Sequence, residues 1–460
     1  MRRDYIKLIP SDAIVIIKML NDSGFEAYLV GGCVRDMLMG ITPHDWDITT
    51  NAMPEETKEV MRKNNVHTFD SGIKHGTITA VLNSEHYEVT TYRSEADYSD
   101  GRHPDSVKFI TDIHEDLKRR DFTINAMAYN PLTDELIDDF CGYCDLNNRV
   151  IKAVGNPAER FEEDSLRILR GLRFAIKYQF RIDDETSLCM HRQRGLLVNI
   201  SKERITDEVR KMLTCGKPIK NHFIYYRDII GTIMPEIIKC FDFEQNNKYH
   251  KHDVYEHILS VVDYCNTDKF EIKMAALLHD IGKPKAYIED LKGCGHFYGH
   301  PSISHEMSEV ILRDDFRVSN ESLDRILELV MYHDMEVSCT KASVKRALNK
   351  HGVDFMYDWF ILKQADMDDH IYPEKNSHYI LNISGLKELV QEILDEEACF
   401  SLKDLAIGGN DIMKHLSIKP GKHIGFILNT LLEEVIDEEI VNDAGILLNR
   451  ASEIYSDINV

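Results

Sequence analysis

The chain reads AYLVGGCVRDMLMGITPHDWDITT from residue 27 to residue 50. Its first part, AYLVGG (27–32), predicts a strand that ends at a glycine pair. Gly31 and Gly32 allow the backbone to approach a phosphate closely, and the free N–H groups of a following helix favour an anion. Arg35 adds a charged donor beside that turn. The stretch therefore predicts a strand–turn–helix unit of the kind that binds phosphate.

Two carboxylates follow the turn. Asp45 and Asp47 alternate on a predicted second strand, so both side chains would point to one face. Carboxylates this close repel each other unless a cation lies between them, and Mg²⁺ takes oxygen ligands and completes its shell with water and substrate phosphate. Glu88, on the predicted strand YEVTTY (87–92), is a candidate third carboxylate; an ion pair with Arg93 is its alternative role.

Composition limits the classes of protein that fit. The chain has 460 residues, 43% hydrophobic and 29% charged, which is ordinary for globular domains and excludes collagen-like or wholly disordered chains. Its net charge of −23 argues against indiscriminate binding of polyanions, so a nucleic-acid surface must be local. Residues 149–220 supply a candidate, with 16 Lys and Arg against 10 Asp and Glu.

Compartment and organisation follow from the same reading. No apolar run is long enough to span a bilayer, the N-terminus has no secretion signal, and scattered cysteines suit reduced thiols, so we expect a cytoplasmic protein without a membrane partner. A third strand is predicted at GTITAVL (76–82), whereas helical periodicity takes over after about residue 150. These patterns predict an α+β head followed by all-helical domains.

Further motifs follow in order along the first half of the chain: RRDFTINA (119–126), DDFCGYCDL (138–146), EEDSLRILRGLRF (162–174) and SKERITDE (201–208). Together with GGCVRD and DWD they resemble the DNA polymerase β-type nucleotidyltransferases. The likeness is greatest to the class II tRNA nucleotidyltransferases (CCA-adding enzymes) and the related bacterial poly(A) polymerases. The chain departs from that pattern at Asp139 and Cys141, where Pro and Gly are usual.

The resemblance implies two Mg²⁺ ions held by the catalytic Asp45 and Asp47, and Glu88, from its place on the strand, stays a candidate further ligand. The ions would clamp a nucleoside triphosphate, lower the pKa of the attacking RNA 3′-hydroxyl and stabilise the pyrophosphate. It also implies a set of nucleotide-binding residues: Gly31, Gly32, Arg35, Arg119, Arg120, Asp121, Asn125, Asp164, Arg167, Arg170 and Arg173.

Base selection is assigned to a predicted helix over 162–176. At 100° per residue its arginines lie on one side and most aliphatic residues on the other. In the family the residues that match Asp164 and Arg167 present hydrogen-bonding groups to cytosine and adenine, and the alternative is a solvated basic face. The loop 95–109 resembles the flexible loop that helps the family switch from C to A.

A second set of metal-binding residue types begins near residue 250. The pair His279-Asp280 ends an apolar helix and can bind metal from both sides, with the aspartate bridging two ions. The sequence HDIGKP resembles the HD phosphohydrolase domain, which implies a phosphodiesterase or phosphatase with a transition metal. The predicted ligands are His257, His279, Asp280, His333 and Asp366. His300 and His305 compete for an additional ligand or catalytic role.

Two shorter features have open alternatives. The tail around 405–435 resembles the C-terminal part of related CCA-adding enzymes, so Lys414, Lys419 and Lys422 would approach the tRNA elbow, unless the tail is a plain packing module. Cys141 and Cys144 form a CxxC, but no second pair lies nearby, which favours free thiols over a zinc site.

The resulting prediction is an α+β polymerase β-like nucleotidyltransferase head followed by all-α neck, HD and tail domains. The expected limits are 1–148, 149–245, 246–372 and 373–460. The expected activity is addition of CCA to tRNA from CTP and ATP, with contacts to the acceptor arm and elbow and none to DNA. The alternatives are a poly(A) polymerase, a partial CC- or A-adding enzyme, and an HD phosphohydrolase whose head only grips RNA.

Overall fold

The computed structural model describes residues 4–96, 106–371, 382–396 and 398–458. The chain forms two compact units. The N-terminal unit comprises Met1–Ile238 and Arg313–Val318, and the C-terminal unit comprises Lys239–Leu312 and Ser319–Val460.

A mixed sheet organises the N-terminal unit. Its strands are β1 (Ala27–Val30), β2 (Asp47–Thr50), β3 (His67–Gly72), β4 (Thr77–Leu82), β5 (Glu85–Thr91), β8 (Ala128–Asn130) and β9 (Glu135–Ile137). They lie in the order β3-β4-β5-β2-β1-β8-β9. Only the neighbours β2 and β5 run parallel in the described part of this sheet. The predicted strands at 27–32, 76–82 and 87–92 are present as β1, β4 and β5.

Four short strands lie outside the main sheet of this unit: β6 (Arg93–Ala96), β7 (Ser106–Phe109), β10 (Val150–Ile151) and β11 (Arg181–Ile182). β6 and β7 pair antiparallel, and β10 and β11 pair parallel. Strand structure thus continues slightly beyond residue 150, where the sequence predicted helices. Of the predicted loop 95–109, residues 97–105 lie outside the described residues.

Eleven described helices complete the N-terminal unit: α1 (Ser11–Asp22), α2 (Gly32–Leu38), α3 (Pro54–Lys63), α4 (Ile113–Lys118), α5 (Gly142–Asn147), α6 (Pro157–Glu163), α7 (Leu166–Tyr178), α8 (Asp184–Gln193), α9 (Lys202–Leu213), α10 (Lys220–Tyr225) and α11 (Arg227–Ile233). Two of them correct the prediction of one helix over 162–176. Asp164 is extended, with ψ of 101°, and separates α6 from α7. Its carboxylate accepts the N–H of Leu166 at 3.1 Å, the local bond through which aspartate starts a new helix.

The described residues of the C-terminal unit form helices and one hairpin, β12 (Ile288–Glu289) and β13 (Gly295–His296). Its helices are α12 (Val254–Tyr264), α13 (Phe270–Leu278), α14 (Lys283–Ala286), α15 (His300–Val310), α16 (Asn320–Tyr332), α17 (Lys341–His351), α18 (Val353–Asp369), α19 (Ile383–Asp395), α20 (Gly409–Leu416), α21 (Lys422–Ile436) and α22 (Ala444–Ile458). Every residue of α13 except Glu271 is buried, because α12, α16 and α18 pack around it. That burial explains its nearly continuous apolar sequence.

The last helices of this unit have a core of their own, which includes Ile412, Ile427, Leu431 and Leu447. Lys414, Lys419 and Lys422 are exposed on its surface. In the described ranges, no helix combines the length and the apolar character that a bilayer crossing needs.

Candidate functional site

The glycine turn after β1 holds an arginine against the backbone. Gly31 has a φ of +77°, and a Cβ at this position would lie 2.9 Å from Nη1 of Arg120. Only glycine combines that conformation with so close an approach. Arg120 forms an ion pair with Asp116 at 3.3 Å, while its buried Nε has no hydrogen-bond partner among the described residues. Gly32 begins α2, so the guanidinium lies beside the helix start that the sequence predicted.

Three carboxylates meet near this turn. Asp47 is the register partner of Glu88 across the parallel strands β2 and β5, and Glu88 is exposed. Asp45 lies in the bend before β2 and not on the strand, so the argument from alternating strand residues does not apply to it. Burial raises the pKa of Asp47 to about 6, and the charges of Glu88 and Asp45 add to the effect while Arg120 opposes it. A bound cation would relieve this repulsion.

A buried polar network joins the turn to α7. Arg35 is only 5% exposed, donates from Nε to Asp36 at 2.8 Å and lies over the ring of Tyr178. Its Nη1 also donates to the side-chain oxygen of Asn125. The amide of Asn125 donates in turn to Asp121 at 3.0 Å. The predicted residues Arg35 and Asn125 are therefore linked directly.

Asp121 connects this network to the arginines of α7. Its Oδ2 accepts from Nε of Arg170 at 2.9 Å, and its Oδ1 accepts the N–H of Phe122 at 2.8 Å. Burial alone would raise the pKa of Asp121, but Arg170 and Asn125 hold it well below its usual range. The carboxylate is thus charged and orients both partners.

The other arginines of α7 are paired as well. Arg167 is 7% exposed; it donates to Glu163 at 2.6 Å and to the carbonyl of Arg119 at 3.0 Å. Arg173 binds Glu208 at 2.5 Å. The alternative of a solvated basic face therefore does not describe this helix. Glu208 lies on α9, whose sequence carries the motif at 201–208.

Asp164 has a partner that sequence reasoning missed. Its Oδ2 accepts from Nη2 of Arg204 at 2.9 Å, and Nη1 of Arg204 is buried without a hydrogen-bond partner among the described residues. Arg119 contacts Asp116 at 2.9 Å and so shares that carboxylate with Arg120. The only sequence signal for Arg204 is its place in SKERITDE (201–208).

A histidine–aspartate cluster forms in the C-terminal unit. It consists of His257 on α12, His279 and Asp280 after α13, His300 at the start of α15, His333 after α16 and Asp366 on α18. Nε2 of His257 lies 3.2 Å from both Asp280 Oδ2 and Asp366 Oδ1. Nε2 of His300 lies 3.2 Å from Asp280 Oδ1 and 3.1 Å from Nε2 of His333. The two oxygens of Asp280 therefore face two different histidine pairs.

The other ring nitrogen of each histidine fixes its tautomer. Nδ1 of His279, His300 and His333 lies 2.7–2.9 Å from a backbone carbonyl three residues earlier, and carbonyls only accept hydrogen bonds. Nδ1 of His257 faces Asp369 at 2.9 Å. Each Nδ1 therefore carries a proton, and the four Nε2 atoms face the interior of the cluster. Histidines that bind metal through Nε2 are oriented in this way.

The titration of the cluster agrees with a cationic occupant. Burial would lower the pKa of His257, but Asp280 and Asp366 raise it to about 10. Burial lowers the pKa of His333 to about 3, helped by His279. The proton on His257 thus supplies positive charge to the carboxylates of Asp280 and Asp366. A bound divalent ion would neutralise the same carboxylates.

A cavity of about 560 Å³ opens onto this cluster. Lys283, which sequence reasoning missed, lies in its wall with Nζ 2.6 Å from Asp280 Oδ2. Its spacing of three residues after Asp280 in HDIGK was the available signal. His370 and Tyr298 also line the cavity. Of the two competing histidines, the structure brings His300 to the cluster and leaves His305 outside the described cavity wall.

The CxxC cysteines are free and exposed. Cys141 caps α5 with a φ of 58°, a left-handed conformation that glycine adopts without strain. Asp139, the second departure from the family pattern, binds Nδ1 of His114 at 2.6 Å. Both departures therefore lie in the turn before α5.

Four family models match successive parts of the chain. They are the Poly A polymerase head domain (residues 27–152), the "Probable RNA and SrmB- binding site of polymerase A" (179–221), the HD domain (250–342) and the tRNA nucleotidyltransferase domain 2 (375–451). The Poly A polymerase head model covers the glycine turn and the three carboxylates. The HD model covers most of the histidine–aspartate cluster.

Known proteins are similar over nearly the whole length. The chain is 32% identical to the CCA-adding enzyme of Streptococcus thermophilus over 95% of this chain and 96% of that protein. It is 31% identical to the CCA-adding enzyme of Ligilactobacillus salivarius, over 97% and 96% respectively. Among solved structures, the Bacillus stearothermophilus CCA-adding enzyme in complex with CTP shares the fold, with a TM-score of 0.73 and 24% identity over 97% of this chain and 98% of that one.

Proposed function

Because this chain belongs to the family of the CCA-adding enzymes, we propose that it adds C, C and A in turn to the 3′ end of tRNA from CTP and ATP, releasing pyrophosphate. The observation that carries this proposal is the convergence of Asp47, Glu88 and Arg120 on the glycine turn at Gly31. Carboxylates that repel each other beside a partly unpaired guanidinium suit a metal–triphosphate complex.

The head residues have distinct roles in this reaction. Asp45 and Asp47 would hold Mg²⁺, with Glu88 as a third ligand, and bound Mg²⁺ supplies activation of the 3′-hydroxyl and stabilisation of the pyrophosphate. Arg120 would bind the triphosphate through its guanidinium group, and Arg35 and Asn125 support the turn by their mutual hydrogen bond. Asp121 positions Asn125 and Arg170 by hydrogen bonds.

Selection of the base is proposed to lie at the break between α6 and α7. Asp164 accepts from Arg204 and leaves its remaining lone pairs for a base amino group, and Arg167 is fixed by Glu163. Asp164 lies between α6 and α7, so its side chain can change direction without unwinding α7. If Asp164→Ala and Arg204→Ala keep the wild-type preference for CTP and ATP over UTP and GTP, this assignment is wrong.

The decisive experiment uses tRNA that lacks its 3′ end, single labelled nucleotides and sequencing of the product. We expect addition of C, C and A and then a stop. A long run of A would indicate a poly(A) polymerase, and a product that ends early a partial enzyme. Asp47→Ala should abolish incorporation, whereas Asp22→Ala, a change at an exposed aspartate of α1, should not. Incorporation by Asp47→Ala would contradict the metal assignment.

A second activity is favoured by the histidine–aspartate cluster. We propose that His257, His279, Asp280, His333 and Asp366, joined by His300, hold divalent transition metal and that the unit hydrolyses phosphate esters. Bound metal supplies a nucleophilic water at neutral pH. Lys283 lies beside Asp280 in the cavity and would bind the phosphate charge.

The test is hydrolysis of p-nitrophenyl phosphate and its diester with Mn²⁺, Co²⁺, Ni²⁺ or Zn²⁺. Asp280→Asn should remove hydrolysis and leave CCA addition intact. No hydrolysis by the wild type with any of these metals, or no metal retained after dialysis, would remove this second function.

We also propose the domain limits 1–148, 149–245, 246–372 and 373–460, a cytoplasmic location, and tRNA-elbow contacts by the exposed tail lysines.

A further inference from the structure

The hairpin β12–β13 carries a third group of metal-ligating side chains. Asp290, Cys294 and His296 offer one oxygen, one sulfur and one nitrogen that all lie within 4.8 Å of one another. Cys294 directly precedes the second strand, and His296 is the last residue of that strand. Asp290 directly follows the first strand and closes the turn from the other side, with its N–H donated to the carbonyl of Cys294 at 3.0 Å.

The hairpin orients the carboxylate. Oδ1 of Asp290 accepts the backbone N–H groups of Lys292 at 2.8 Å and Cys294 at 3.0 Å. Both of these bonds are made to Oδ1. The other carboxylate oxygen, Oδ2, lies 3.2 Å from Nε2 of His296. An oxygen and a nitrogen bound to one tetrahedral zinc ion lie about 3.3 Å apart, so this pair already has the required separation.

The imidazole is oriented from behind. The hydroxyl of Tyr298 lies 3.4 Å from Nδ1 of His296, and the two rings stack with centroids 5.4 Å apart. A metal bound at Nε2 requires the proton of the neutral ring on Nδ1, where the Tyr298 hydroxyl can accept it. This is the support that zinc-binding histidines usually have.

We propose that Asp290, Cys294 and His296 form a zinc site separate from the histidine–aspartate cluster, with a fourth position open to solvent. A thiolate, an imidazole and a carboxylate are ligands for zinc or a similar transition metal, whereas Mg²⁺ and Ca²⁺ select oxygen. The ion would stabilise the hairpin by binding residues on both sides of its turn. The hairpin leads to Tyr298, Gly299 and His300, which line the cavity of the histidine–aspartate cluster.

Cobalt(II) tests the proposal because a cysteine thiolate bound to cobalt gives a charge-transfer absorption band, which nitrogen and oxygen ligands do not give. The ligands of the histidine–aspartate cluster are all nitrogen or oxygen atoms, so cobalt bound there does not give this absorption band. We expect the full-length protein to show the band on titration with Co²⁺ and to lose it when Zn²⁺ is added. The bound metal per chain should fall by one ion in Cys294→Ser.

The matched control is Cys339→Ser, which changes an exposed cysteine of the same unit and should keep the band. Asp290→Asn and His296→Gln should each weaken cobalt binding at least tenfold, as loss of one of three ligands requires. Absence of the band in the wild type, or its persistence in Cys294→Ser, would overturn the site. Loss in Cys294→Ser with unchanged binding in both other variants would show a lone thiol and would overturn it too.

Discussion

Gly31→Ala is the substitution whose effect follows most directly from the geometry. A Cβ at Gly31 would lie 2.9 Å from Nη1 of Arg120, whereas carbon and nitrogen in ordinary contact are about 3.5–4 Å apart. Arg120 would have to retreat by more than half an ångström. It is held by Asp116, which is fully buried, so the guanidinium cannot move without lengthening that ion pair.

Two separate costs are expected. The backbone of Gly31, with a φ of +77° and a ψ of −128°, lies in a region that is essentially restricted to glycine, which costs alanine about 1–3 kcal/mol in folding free energy. Displacing Arg120 would remove the proposed charge-assisted hydrogen bond to the triphosphate, worth about 1.5–3 kcal/mol, and would lower kcat/KM for CTP by about 10- to 150-fold. Gly40→Ala separates the two, because Gly40 has a φ of +72° and a Cβ there meets nothing within 4 Å.

Urea unfolding should therefore show a loss of stability in both variants, while steady-state CTP incorporation into tRNA falls only in Gly31→Ala. If kcat/KM falls no further in Gly31→Ala than in Gly40→Ala, Arg120 does not bind the triphosphate and the role assigned to the turn is wrong.

Three further predictions concern individual side chains. Because the folded state raises the pKa of Asp47 from 3.8 to about 6, its ionisation destabilises the metal-free fold; Asp47→Asn should be more stable by up to about 3 kcal/mol above that range in EDTA, with the gain vanishing as the pH falls below 4. Urea titration at several pH values checks this, and a gain that grows toward low pH would contradict it. Cys141→Gly should raise the free energy of unfolding by about 0.5–1 kcal/mol by relieving a φ of 58°, whereas Cys144→Gly, inside α5, should lower it by a similar amount. Equilibrium dialysis should show less bound transition metal in His300→Ala and wild-type binding in His305→Ala; equal effects would mean that the second histidine pair holds no ion.

Much of the local secondary structure of the head was predictable from short stretches of sequence. The strand at 27–30, the glycine turn and the strand at 87–91 follow from residue type and period, because these are properties of neighbours along the chain. The position of Asp45 was predicted wrongly, since strand β2 begins two residues later, at Asp47. The helix prediction failed at Asp164 for a related reason: periodicity continues through the break, but an aspartate side chain can cap a new helix and end the old one.

The residue types, their order and their family resemblance were thus enough to predict the fold class correctly, and the kind of chemistry at each site stays a prediction. Folding in three dimensions added the pairings between distant residues: Arg204 with Asp164, Arg120 against Gly31, Lys283 with Asp280, and His300 in place of His305. Such contacts depend on how helices and strands pack, which periodicity along one segment does not encode. The same holds for the tautomers of the four histidines, because each is set by the acceptor that the fold places behind the ring.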